Sequence, residues 1–173
     1  MDADFSIELG RDDAVLDFPW TDPSGKLAYF DLKRHPELIL RVVEAQKHPE
    51  LAEFLRVVNS AGSVVESAKC DAWATTELSA EEDVFDASHK FATYVDLVFS
   101  NDDQRLSFPV HERLAKKLTE LLRRAPEIAA AVEICVRRCF FAEAGDTREG
   151  YYFTVYVSGY GNDDAGAVRP TAR

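Results

Sequence analysis

Alternation of apolar and polar positions is clearest in residues 90–99, KFATYVDLVF. Phe91, Thr93, Val95, Leu97 and Phe99 fall on one side, and Lys90, Ala92, Tyr94, Asp96 and Val98 on the other. Successive side chains of a strand point to opposite faces, so this period of two predicts a sheet element with the first set against the core. Residues 64–75, VVESAKCDAWAT, alternate too: Val64, Ala68, Cys70, Ala72 and Ala74 make a small-residue face, with Ser67, Lys69, Asp71, Trp73 and Thr75 opposite. Further on, 132–142 (VEICVRRCFFA) and 151–160 (YYFTVYVSGY), joined by the loop-forming AGDTREG, predict a hairpin. Residues 5–9 and 14–18 are shorter strand candidates, followed by the turn-rich PWTDPSG and an extended piece at 27–32.

Helical spacing marks other stretches. After Pro109, the residues Val110, Leu114, Leu118, Leu121 and Leu122 form one apolar stripe. His111, beside Glu112 in the first turn of that helix, is expected at the surface. Ser79-Ala-Glu-Glu82 has the form of a capping box and predicts a short helix with Val84 and Phe85 inward and His89 at its end.

The phrase His-Pro-Glu-Leu occurs at 35–38 and again at 48–51. A residue before proline is pushed out of the α region, which suits an N-cap, and proline costs nothing at the first helical position. His35 and His48 therefore read as caps, with Glu37 and Glu50 facing the positive ends of the helix dipoles. Leu38, Val42 and Ala45 would line the first helix, and Leu51, Leu55 and Val58 the second. Metal binding by His35, Glu37, His48 and Glu50 would need all of them to converge, so no metal site is assigned. A solenoid needs at least three longer repeats.

The order of elements favours an α+β two-layer sandwich on a mainly antiparallel sheet, with helices packed on one face. A single domain is expected over 1–161, its residues 1–32 an irregular segment with short strands. The breaker-rich stretch 162–173 reads as a loose tail.

Charge narrows the function classes. A formal net charge of −11 argues against nucleic acid, whose phosphates call for a cationic surface. Residues 1–31 and 77–86 hold acidic runs, whereas 110–124 carries Arg113, Lys116, Lys117, Arg123 and Arg124. Such asymmetry is ordinary for solvated faces and also suits docking of a basic protein. No apolar run reaches the length of a membrane span and no signal-peptide core is present, so a soluble, cytoplasmic protein is expected. Cys70, Cys135 and Cys139 lie in apolar strands without CxxC spacing and read as reduced core residues.

Motifs for nucleotide binding, zinc hydrolysis or a nucleophilic serine are absent. Gly159-Tyr-Gly161 is a lone GxG at a strand end, where glycine permits a bend. The candidate binding surface is instead the sheet face turned away from the helices. It comprises Lys69, Asp71 and Trp73; Tyr94 and Asp96; Arg137; and Tyr152, Tyr156 and Tyr160. Aromatic rings with polar tips supply contact area and the charges orient a ligand, although the same residues also simply stabilise sheets. Asp71 and Asp96 could face each other across strands as an acid–base pair, but plain salt bridges to Lys69, Lys90 or Arg137 account for them more readily. The expectation is an acidic, non-enzymatic interaction module that binds a protein partner or a second copy, without cofactor, metal or catalytic residue. The alternative is a small-molecule-binding protein or enzyme using the same face. Either requires residues 1–32 to leave that face uncovered.

Overall fold

A computed structural model of the chain describes residues 1–79, 82, 86–143 and 145–170. Its strands are β1 (Asp2–Glu8), β2 (Val15–Phe18), β3 (Val65–Thr75), β4 (His89–Phe99), β5 (Ala130–Glu143) and β6 (Asp146–Gly161). A 3-10 turn spans Pro36–Arg41, and the α-helices are α1 (Val43–Lys47), α2 (Pro49–Val58), α3 (Asp102–Arg105), α4 (Phe108–Leu122) and α5 (Asp164–Val168). The architecture is α+β around one mixed, six-stranded sheet of order β1-β5-β6-β4-β3, with β2 also on β5.

The pairs β3–β4, β4–β6 and β6–β5 are antiparallel, the last joined by the short connection that favours this pairing. The N-terminal strands differ from that expectation: β1 and then β2 run parallel to β5, one after the other along the same edge. No hairpin joins them to β5, so turn geometry does not dictate their direction. The last hairpin is also longer than its sequence suggests, because 146–150 continue β6 and the ladder runs from Ala130 to Glu143 without a bulge.

One sheet face carries the main core. Val95, Leu97, Phe99, Val132, Ile134, Val136 and Phe153 meet Leu51, Leu55 and Ala115 from α2 and α4. The alternation of β4 therefore holds as read. That of β3 does not, because the register shifts between Ser67 and Lys69. A bulge puts two consecutive residues on the same side. Ala68 accordingly joins the opposite face, packing with Val98, and Val64 lies exposed before the strand begins.

The doubled phrase does open two helical pieces, with His35 and His48 at the N-cap positions, but neither imidazole makes a capping hydrogen bond. The first piece is broken: a 3-10 turn, then extended Val42, then α1. The equivalent pair Val57–Val58 is helical in α2, so the valines alone do not break the first piece; at the break the Gln46 side chain donates to the carbonyl of Leu40 at 2.6 Å. His48 packs against the Phe91 ring, and His35 Nδ1 lies 3.5 Å from Glu37.

In α4 the buried line is His111, Ala115 and Thr119, while Leu121 is exposed. His111 is thus an interior residue, corrected from the surface position expected of it. Its Nδ1 lies 2.9 Å from the Ser107 carbonyl, and Phe99, Tyr151 and Phe153 surround the ring. Burial holds this imidazole below its usual pKa and keeps it neutral.

Residues 164–168, expected in a loose tail, form α5 against β6 and β4. Gly159 and Gly161 make this docking possible, since a Cβ at Gly159 would stand 2.0 Å from the Ala167 carbonyl oxygen. The GxG is a seat for a helix rather than a bend. The helix expected through Val84 and Phe85 lies outside the described residues. Within the described part, the Ser79 N–H donates to Glu82 at 2.9 Å, as in a capping box, and His89 begins β4. Among the described residues no helix is long and apolar enough to cross a membrane.

Candidate functional site

The outer sheet face is ordered by strand register into rows. One row runs Lys69–Asp96–Thr154–Cys135–Ser6, and the next runs Asp71–Tyr94–Tyr156–Glu133–Asp4. Because each strand alternates, all these side chains stand on the side away from α2 and α4.

Both ends of the face are covered. At one end β2 and the segment after it place Leu16, Phe18, Trp20 and Tyr29 against Ala68, Val98, Cys139, Phe141 and Tyr152. Tyr152 is only 3% exposed there and forms part of a second core. At the other end Tyr160, 4% exposed, donates its hydroxyl to Glu82 at 2.7 Å, and Lys90 also bonds Glu82. Burial alone would raise the Glu82 carboxyl, but the bonds from Lys90, Ser79 and Tyr160 outweigh it and hold the pKa at about 2. The segment 1–32 therefore removes Tyr152 from the surface; of the two middle rows the one through Asp96, Thr154 and Cys135 is buried, and the one through Asp71, Tyr94, Tyr156 and Glu133 remains partly open.

In the middle, Arg137 is the organising charge. Its Nε lies 2.6 Å from Glu8 Oε2, and its Nη1 donates to Thr154 Oγ1 at 3.0 Å and to the Tyr156 hydroxyl at 2.8 Å. Thr154 in turn donates to Asp96 Oδ1 at 2.7 Å. Lys69 stands over the Trp20 ring at 4.8 Å and the Tyr94 ring at 5.6 Å. Tyr94 and Tyr156 are tilted neighbours with centroids 6.0 Å apart. Trp73, 43% exposed, and Asp71 extend the strip onto β3, at the free edge of the sheet.

Asp96 is 5% exposed, and burial pushes its carboxyl up to about 6 despite the Thr154 bond and the nearby Lys69 and Arg137 charges. A raised carboxyl means that the folded protein binds a proton more readily than the unfolded chain. Its stabilising effect is complete below the usual value of 3.8 and is lost as pH rises through about 6. Asp96→Asn removes this dependence. Relative to wild type, the variant should gain about 2 kcal/mol between pH 4 and pH 7, most of the roughly 1.4 kcal/mol per unit of pKa that the whole shift carries. Urea unfolding at the two pH values measures this; parallel curves would show that Asp96 ionises freely.

The thiols offer no nucleophile: burial pushes Cys70 up to about 12 and Cys135 up to about 11. Asp71 and Asp96 sit in different rows, one exposed and one buried, and so do not face each other across β3 and β4. The strand periods place Thr154 and Glu133 on this face with their neighbours, whereas Trp20 and Glu8 carry no such signal; Glu8 becomes a partner of Arg137 only through the parallel β1–β5 pairing. Comparison with protein-family models, with curated proteins and with solved structures gives no match.

Proposed function

We propose that this chain is a non-enzymatic binding domain that meets a protein partner, a second copy of itself included, on the open middle of its outer sheet face. The observation that carries this reading is the strip from Trp73 through Tyr94 to Tyr156, whose rings remain accessible while the polar groups beneath them are tied to one another. Aromatic rings give contact area at little entropic cost, and a pre-bonded polar layer needs no rearrangement on binding. Lys69 and Arg137 stand beside Asp71 and Glu133, so the strip carries both signs and suits contact with its own copy. On this reading the domain is a cytoplasmic two-layer sandwich with its helix layer as the back.

The second reading, acid–base chemistry on this face, has the near-neutral Asp96 carboxyl in its favour. That group is sealed and already bonded to Thr154, which places this reading behind the first.

Size-exclusion with light scattering over a concentration series provides the test. Wild type should pass from monomer to dimer by millimolar concentration, and Trp73→Ala/Tyr94→Ala should stay monomeric at every concentration. A wild type that remains monomeric throughout sinks self-association through this strip. Equal dimerisation of the double variant does the same.

A further inference from the structure

We propose that a cleft beside the free edge of β3, adjoining the outer strip and sharing Lys69 with it, binds a small monocarboxylate with an apolar body. The cleft encloses about 290 Å³, close to the lower end of ligand pockets at roughly 300 Å³. Its floor is the bulged stretch of β3 from Ser67 to Cys70. One wall is the Trp20–Phe30 segment, closed by the Thr21–Ala28 bridge; the other is Arg41–Glu44, where the 3-10 turn breaks into α1.

The lining divides by chemistry. Leu27, Phe30, Leu32, Val42, Leu55 and Cys70 make the walls apolar. Lys26, Arg41 and Lys69 are the cations, against the single carboxylate Glu44. A chain of net charge −11 thus has a positive cleft. Among the described residues none of these cations has a carboxylate within salt-bridge distance, although Lys69 lies beside the buried Asp96. Arg41 is held over the Phe30 ring at 5.0 Å, and Lys69 over Trp20 at 4.8 Å. The rings fix both charges at the wall without neutralising them, so an entering anion gains charge-assisted hydrogen bonds without breaking an ion pair.

The ligand class follows from these walls. A neutral molecule would leave the cations unmatched, and a dianion such as phosphate would offer nothing to the leucines while meeting Glu44. A single carboxylate on an apolar body satisfies both parts. Leu32 and Leu55 are shared with the lining of a second cavity, of about 230 Å³. The apolar walls take the body of the ligand, and affinity should rise with chain length until they are covered.

Sodium octanoate, sodium acetate, octanol and inorganic phosphate are the probes, read by calorimetry and by amide NMR shifts. Octanoate should bind saturably and move the amides of residues 41–44 and 67–70, while acetate and phosphate move none. Octanol should bind at least about tenfold more weakly, the effect of losing one hydrogen bond to a charged group. Arg41→Gln, at an exposed rim position, and Lys69→Gln should each weaken octanoate by about the same factor. Octanol binding as tightly as octanoate, unchanged affinity in both variants, or shifts scattered away from the cleft would each overturn the assignment.

Discussion

Replacing Arg105 by methionine should cost the fold about 3–5 kcal/mol at pH 7, the usual penalty for removing one partner of a buried ion pair. Arg105 closes α3 and points back into the second core. Its side chain is 14% exposed and that of its partner Glu66 11%, with Nη2 and Oε1 2.7 Å apart. Nε donates to the Phe99 carbonyl at 2.6 Å, and the guanidinium lies between Phe18 and Phe141 at 5.3 and 5.2 Å. Methionine fills much of the same space but leaves a carboxylate and a carbonyl without their donor. Burial already raises the Glu66 carboxyl above its usual pKa, opposed by the Arg105 charge. Without that charge it rises further, so the folded variant takes up a proton and the deficit shrinks as pH falls from 7 toward 5. Adding Glu66→Gln should recover part of the loss. Urea unfolding of the single and double variants at both pH values measures this. A loss below about 1 kcal/mol, independent of pH, would mean that packing alone holds this corner.

Gly150→Ala should be nearly as damaging, about 3 kcal/mol or more, at the upper end for overpacking a filled site. An added Cβ would lie 2.5 Å from the Arg105 carbonyl oxygen and 2.8 Å from the Phe141 ring. One obstacle is backbone and the other a fully buried ring, so neither has a cheap way to yield. The short α3 must lift away from β6 and carry Arg105 with it. The two substitutions therefore attack the same contact, and Gly150→Ala/Arg105→Met should cost clearly less than the sum of its parts. Full additivity in chemical denaturation would show that the glycine and the arginine act separately.

Neither residue stands out in the sequence, for an instructive reason. Arg105 follows Asn101-Asp-Asp103, which reads as a turn, and its partner Glu66 lies on another strand. Strand parity was readable wherever the ladder is regular. It gave the two faces of β4 and β6 correctly and aligned Tyr94, Asp96 and Tyr156. It failed at β3, because a bulge has no signature in SAKC. In α4 the apolar stripe found only the flanks, since the buried centre is a histidine, an alanine and a threonine. The seat for α5 was visible as Gly159-Tyr-Gly161, but its occupant belongs to a stretch whose composition reads as disorder. The cleft at β3 could not be foreseen: Lys26, Arg41 and Lys69 come from distant parts of the chain.

The parallel pairing of β1 with β5 bears on the order in which the molecule assembles. Glu8 and Arg137 are 129 residues apart in sequence, whereas β5 and β6 meet across a tight hairpin. Closing the longer loop costs more entropy before any contact repays it. The two hairpins should therefore form the sheet first and the N-terminal strands dock last, sealing the aromatic cover over Tyr152. Until then β5 presents an unpaired edge, on which the identical N-terminal strand of a second chain would pair equally well, its Glu8 meeting Arg137 in the same way.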